Sequence, residues 1–130
     1  MAVQPLREEV TSLLQELIRL NTVNPPGNET AAAELLRDYL EPFGLQCELY
    51  ARTPERANLV ARILGSDDGP SLLFLSHTDT VLADPAEWTV DPWSGELRDG
   101  QVWGRGALDM KGQVAAGAVA IGRASCRERV

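Results

Sequence analysis

Histidine occurs once in these 130 residues and cysteine twice. Cys47 and Cys126 stand far apart, so neither a disulfide framework nor a C-x-x-C motif is expected. A catalytic zinc usually takes three protein ligands, so one imidazole without paired thiols leaves any such site incomplete within this chain. No apolar run approaches the ~20 residues that cross a bilayer. Positive charge is in deficit: the formal net charge is -7. That balance argues against nucleic acid and anionic membrane surfaces as partners. The first residues carry Arg7, Glu8, Glu9, Glu16 and Arg19 with no unbroken apolar segment. A secretion signal is therefore not expected, and the reducing cytoplasm is the expected location. Internal repeats and low-complexity segments are also missing.

What is present suits one soluble domain with a real core, since 44% of residues are hydrophobic and 24% charged. Leu6, Val10, Leu13, Leu14, Leu17 and Ile18 recur at helical spacing. Asn21 to Asn28 contains Pro25, Pro26 and Gly27 and reads as a loop. Asn28 or Thr30 is the expected cap of a second helix over Ala31 to Leu40, with Gly44 as a left-handed stop. Gln46 to Ala51 and Asn58 to Leu64 read as strands, and Gly65 to Pro70 as a polar turn. Ser71 to Ser76 is apolar through Leu72-Leu-Phe-Leu75, the pattern of a strand buried on both faces. Asp99-Gly100 between Glu96–Arg98 and Gln101–Trp103 is a hairpin signal. Lys111 to Ala120 reads as helix. The expected class is α/β, a mixed sheet flanked by helices.

The last ten residues, Ile121-Gly-Arg-Ala-Ser-Cys-Arg-Glu-Arg-Val130, break this pattern. Small apolar residues give way to Arg123, Arg127 and Arg129. The string resembles a sequencing adapter translated in one frame. The expected organisation is a partial catalytic domain over 1–121 and a non-native tail over 122–130. The plainer alternative is a genuine basic helix end, which would suit the helix dipole. Without Cys126, Cys47 is a lone thiol of the kind that usually fills core space.

Two short signatures carry chemistry. Ser76-His77-Thr78-Asp79 ends the apolar run, and alternate residues of an extended chain face one side. His77 and Asp79 would then project together into the crevice at a strand end. A neutral imidazole is a good zinc ligand, and a neighbouring carboxylate can orient it through its other nitrogen. Gly104-Arg-Gly-Ala-Leu-Asp-Met-Lys-Gly112 adds Asp109 in a glycine-lined turn before a helix. A carboxylate has two oxygens and can bridge two metals, and such a pair activates a shared water and polarises a carbonyl. Each signature alone has a plainer reading: a hydrogen-bonded histidine, a helix-capping aspartate, a glycine turn. Their succession behind an apolar strand and a hairpin carries the metal reading.

At these residues the chain resembles the dinuclear zinc family of acetylornithine deacetylases, succinyl-diaminopimelate desuccinylases, aminoacylases and related carboxypeptidases. Leu20-Asn-Thr-Val-Asn-Pro-Pro-Gly27 is similar to its first loop. Leu73 to Val81 is similar to its first metal segment, and Trp88 to Trp93, Leu97 to Gly100 and Gly104 to Gly112 to its second. Leu82 stands where the family often has proline. The resemblance implies the amino-terminal part of a zinc-peptidase catalytic domain, incomplete in this chain. It implies two Zn2+ per complete site, Co2+ being an alternative. His77 would ligate one zinc, Asp79 would be the catalytic aspartate that steadies His77, and Asp109 would bridge both metals. Arg105 and Lys111 would be supporting charges, and Trp88, Trp93 and Trp103 packing residues. The family's adjacent glutamate pair, a further acidic ligand and a distant histidine would lie downstream, as would its dimerisation lid, so the complete protein would be a homodimer.

The expected function is zinc-dependent hydrolysis of an amide bond in N-acyl amino acids or small peptides, by the complete protein. This chain alone is expected to be inactive. Two alternatives stand beside it: a partial metal-binding fragment, and a non-catalytic α/β binding module with a structural His–Asp pair.

Overall fold

The computed structural model describes residues 5–65 and 68–127. The expected turn at 65–70 and the tail at 122–130 fall partly outside those residues.

Helix α1 covers Leu6–Arg19. Its apolar residues at helical spacing put Leu13, Leu17 and Ile18 inside. Glu8 and Glu9 in the first turn and Arg19 in the last complement the helix dipole. Helix α2 covers Thr30–Leu40 and buries Ala32, Ala33, Leu36 and Leu40. A tight turn over Glu41–Phe43 ends at Gly44, whose φ of 83° is the expected left-handed stop. Helix α3 covers Gly112–Arg127. The three helices share a core in which Leu17, Ala32, Leu36, Val114, Ala115 and Val119 meet. Full burial of a leucine such as Leu17 contributes about 2 kcal/mol.

The expected cap of α2 differs in detail. Glu29 is the N-cap residue, and no side chain caps the helix. The Thr30 hydroxyl instead donates to the Pro54 carbonyl (2.6 Å) and accepts from the Ala57 amide (3.0 Å). The Glu29 carboxylate is held by Arg56 at 2.9 and 3.1 Å. Both groups thus fasten the helix start to the loop that leads into the second strand.

Strands β1 (Gln46–Ala51) and β2 (Ala57–Arg62) pair antiparallel, Gln46 opposite Arg62 and Ala51 opposite Ala57, and lie against α2. Strands β3 (Glu96–Arg98) and β4 (Gln101–Trp103) form a second hairpin. Its turn residues Asp99 and Gly100 both have positive φ, 53° and 75°, as a two-residue hairpin turn requires. The α/β class stands, with two small antiparallel sheets among the described residues.

Ser71 to Ser76 departs from expectation. It pairs with no strand among the described residues, and Leu72, Leu73 and Leu75 are 82%, 80% and 85% exposed. Its side chains suit a two-sided interior, but burial needs neighbouring layers and a ladder needs an adjacent strand. Strand-like pairing resumes at Thr80, which forms a parallel bridge with Val23.

Candidate metal centre

The loop that follows α1 positions the first half of the site. Thr80 donates its amide to the Thr22 carbonyl at 3.0 Å, and Asn24 donates its amide to the Thr80 carbonyl at 2.9 Å. The buried Thr22 hydroxyl donates to the Thr78 carbonyl at 2.6 Å. Three hydrogen bonds therefore fix residues 78–80, and with them Asp79. The His77 amide contacts the Met110 sulfur at 3.5 Å, which ties this segment to the turn that carries Asp109.

That turn, Ala107–Lys111, is irregular: Asp109 and Met110 leave helical φ/ψ, and the Asp109–Met110 peptide is cis. Gly106 enters it at φ 84°, with the Thr80 methyl 2.7 Å from where a Cβ would sit. Glycine is required there both by conformation and by this close approach. Lys111 leaves it pointing inward. Its side chain is 1% exposed, and its ammonium donates to the carbonyls of Leu17 and Leu20 at 2.8 Å each. Those carbonyls are at the end of α1, where the helix leaves acceptors short of donors, although Leu17 also accepts the Leu20 amide at 3.3 Å. Burial pushes the Lys111 ammonium down to about 8.

The two halves meet at one imidazole. His77 Nδ1 lies 3.0 Å from Asp79 Oδ1 and 3.1 Å from the Asp79 carbonyl. Neither oxygen can donate, so the proton of the neutral ring belongs on Nδ1. Nε2 then presents a lone pair, and it faces Asp109 Oδ1 at 3.2 Å. Two acceptors that face each other need a cation between them or a proton on the ring. Without a metal the proton is favoured. Burial pulls the His77 pKa down, but the contacts with Asp79 and Asp109 outweigh it and the net shift is upward. Asp79 moves the other way. A hydrogen bond from Asn24 Nδ2 to Asp79 Oδ2 (3.1 Å) is the chief cause, with His77 adding to it.

A metal fits this donor pair. Two ligands about 2.0–2.2 Å from a tetrahedral zinc stand about 3.3–3.6 Å apart. The 3.2 Å between Nε2 and Oδ1 lies just under the short end of that range, within a small side-chain adjustment. The Asp109 carboxylate is 87% exposed, so one of its oxygens remains open to solvent or a second metal. Asp79 occupies the far side of the ring, where it orients His77. His77, Asp79 and Met110 border a groove of about 770 Å³ that continues along α2 and α3. Among the described residues no group of three His, Cys, Asp or Glu side chains converges on a metal position.

A match to Peptidase family M20/M25/M40 covers residues 73–127, the stretch that contains His77, Asp79 and Asp109. Over 116 residues the chain is 45% identical to a succinyl-diaminopimelate desuccinylase of Rhodospirillum centenum, covering 85% of this chain and 29% of that protein. The chain belongs to peptidase family M20/M25/M40. The corresponding enzyme of Caulobacter sp. is 37% identical over 121 residues, 92% of this chain and 30% of the relative. Succinyl-diaminopimelate desuccinylase 2 of Ruegeria sp. is 44% identical over 110 residues, 83% of this chain and 27% of the relative. The chain thus spans under a third of the length of these M20 relatives.

Of the residues singled out in the sequence, the structure brings His77, Asp79 and Asp109 together. Arg105 stands apart from them, its guanidinium 5.3 Å over the Trp88 ring, while Trp103 carries Arg98 at 5.8 Å. Asn24, in what reads only as a proline-rich loop, has no visible role in the sequence, and Lys111, expected as a supporting charge, is buried in a way that no local pattern announces.

Proposed function

We propose that the complete protein hydrolyses the amide bond of N-acyl amino acids or small peptides that carry a free carboxylate, using two zinc ions. The observation that carries this reading is the approach of His77 Nε2 to Asp109 Oδ1, with Asp79 fixing the opposite nitrogen. His77 and Asp109 would hold metal, and Asp109 would bridge. Bound zinc supplies a water acidic enough to ionise near neutral pH and polarises the scissile carbonyl. Asp79 keeps the His77 proton on Nδ1, so that Nε2 stays a donor to metal. The succinyl-diaminopimelate named for the relatives falls within the proposed substrate class, and cobalt is the expected substitute metal.

The general base and the remaining ligands would come from polypeptide beyond these 130 residues, as would a dimer contact. The chain alone would bind metal weakly and turn nothing over, because only His77 and Asp109 converge as donors among the described residues. Both cysteines are free thiols, in keeping with a reducing compartment such as the cytoplasm. Residues 122–130 we take as non-native. The described part of that tail continues α3, with Arg123 on Glu9 and Ser125 on the Phe43 carbonyl. Sequencing the source gene past codon 121 tests this: a different continuation supports it, and the same nine codons in an uninterrupted frame refute it.

The function is tested by assaying the complete protein on a panel of N-acyl amino acids. Zinc-dependent turnover, abolished by chelation and by His77→Ala or Asp109→Ala, is expected. Full activity in either variant would favour the alternative of a binding module whose His–Asp pair is structural.

A further inference from the structure

Asp79 has two carboxylate oxygens, and each has its own partner. Oδ1 faces His77 Nδ1 at 3.0 Å, and Oδ2 accepts from Asn24 Nδ2 at 3.1 Å. A carboxylate held at one oxygen keeps a wider range of torsion and tilt than one held at both. Held at both, it cannot turn without breaking a charge-assisted bond. Asn24 is itself fixed. Its amide donates to the Thr80 carbonyl at 2.9 Å, and its neighbour Val23 bridges Thr80. The Val23 amide in turn donates to Asn21 Oδ1 at 3.1 Å. The loop after α1 thus delivers an amide donor to the side of Asp79 that faces away from the imidazole.

From this geometry we infer that Asn24 is a positioning residue for the metal centre: it locks the Asp79 carboxylate, and through it the orientation of His77. The inference rests on the proposed metal-binding role of His77 and Asp109. Asn24 does not reach the imidazole, so its whole effect passes through Asp79. Outer partners of metal-bound histidines typically change metal affinity about 10–100-fold when removed, and Asn24, one step further out, belongs near the lower end.

The test is a mutant cycle on the complete protein, with zinc affinity read by chelator competition. The variants are Asn24→Ala, Asp79→Ala, the two combined, and His77→Ala as control; thermal melting of each metal-free variant reports folding. Asn24→Ala is expected to weaken zinc about tenfold with the melting temperature held, and to cost nothing further once Asp79 is alanine. Should Asn24→Ala disturb folding, Asn24→Asp keeps the size and turn preference but sets an acceptor against Asp79 Oδ2. It is expected to weaken zinc at least as much. Unchanged affinity in both Asn24 variants, or the full Asn24→Ala loss persisting in the Asp79→Ala background, overturns the inference while leaving the metal centre intact. Unchanged affinity in His77→Ala overturns the metal centre itself, and the inference with it.

Discussion

Asp79 and Asp109 hold opposite edges of one imidazole, at 3.0 Å from Nδ1 and 3.2 Å from Nε2 of His77. The two carboxylates come from different segments and do different work. Asp79 is partly enclosed and also bonded to Asn24, while Asp109 stands almost fully in solvent. In the proposed metal centre the enclosed one would orient His77 and the open one would coordinate.

The first prediction concerns that division. Asp79→Asn keeps the shape but leaves a single acceptor oxygen, which can serve His77 or Asn24 and not both. In the complete protein the variant should lose about 10–100-fold in kcat or zinc affinity with its melting temperature little changed. Assay and chelator competition on the same preparation measure both.

A second prediction follows from the raised His77 pKa. A histidine whose folded pKa is raised gives stability that is complete below its unfolded pKa and is lost as pH rises through the folded value. Metal must displace the proton from the same ring, so zinc uptake near pH 6.5 should release protons and weaken as pH falls. Calorimetry in buffers of different ionisation enthalpy measures the release, and His77→Ala should remove it.

Lys111 yields a third. Lys111→Met leaves the Leu20 carbonyl without its lysine donor and the Leu17 carbonyl with only the Leu20 amide at 3.3 Å, and should destabilise the complete protein by about 1–3 kcal/mol near neutral pH. The lysine pKa is depressed to about 8 from 10.5 in the folded protein, so the unfolded chain binds more protons between those values. Stability from this group therefore rises as pH climbs through that window, by at most about 3 kcal/mol. Melting curves of the parent and of Lys111→Met from pH 7 to 10.5 should show the rise only in the parent.

Gly106→Ala is the fourth. The new methyl would meet Thr80 at 2.7 Å in a backbone region that alanine adopts at a cost of about 1–2 kcal/mol. Because Thr80 adjoins Asp79 and the turn carries Asp109, the strain falls on both sides of His77. Both melting temperature and zinc affinity should drop, unlike the Asp79→Asn pattern.

Much of the architecture is legible from spacing alone. The stripe from Leu6 to Ile18 specifies α1, and Asp99-Gly100 specifies its hairpin, because each depends on neighbours in sequence. Leu72 to Leu75 has the pattern of a buried strand and is not one, because burial depends on layers that no local pattern reports. The three signature residues are legible because two motifs announce them. Asn24 is not, since its contact spans 55 residues, and neither is Lys111, which reaches carbonyls more than 90 residues away. An asparagine beside two prolines looks like any loop residue, and a lysine shortly after Asp109 looks like surface charge.

The most direct test of the account is anomalous diffraction at the zinc edge from crystals of the complete protein. A peak is expected about 2.0–2.2 Å from both His77 Nε2 and an Asp109 oxygen, with Asp79 on the Nδ1 side and off the metal. Metal bound elsewhere, with His77 and Asp109 left uncoordinated, would contradict it.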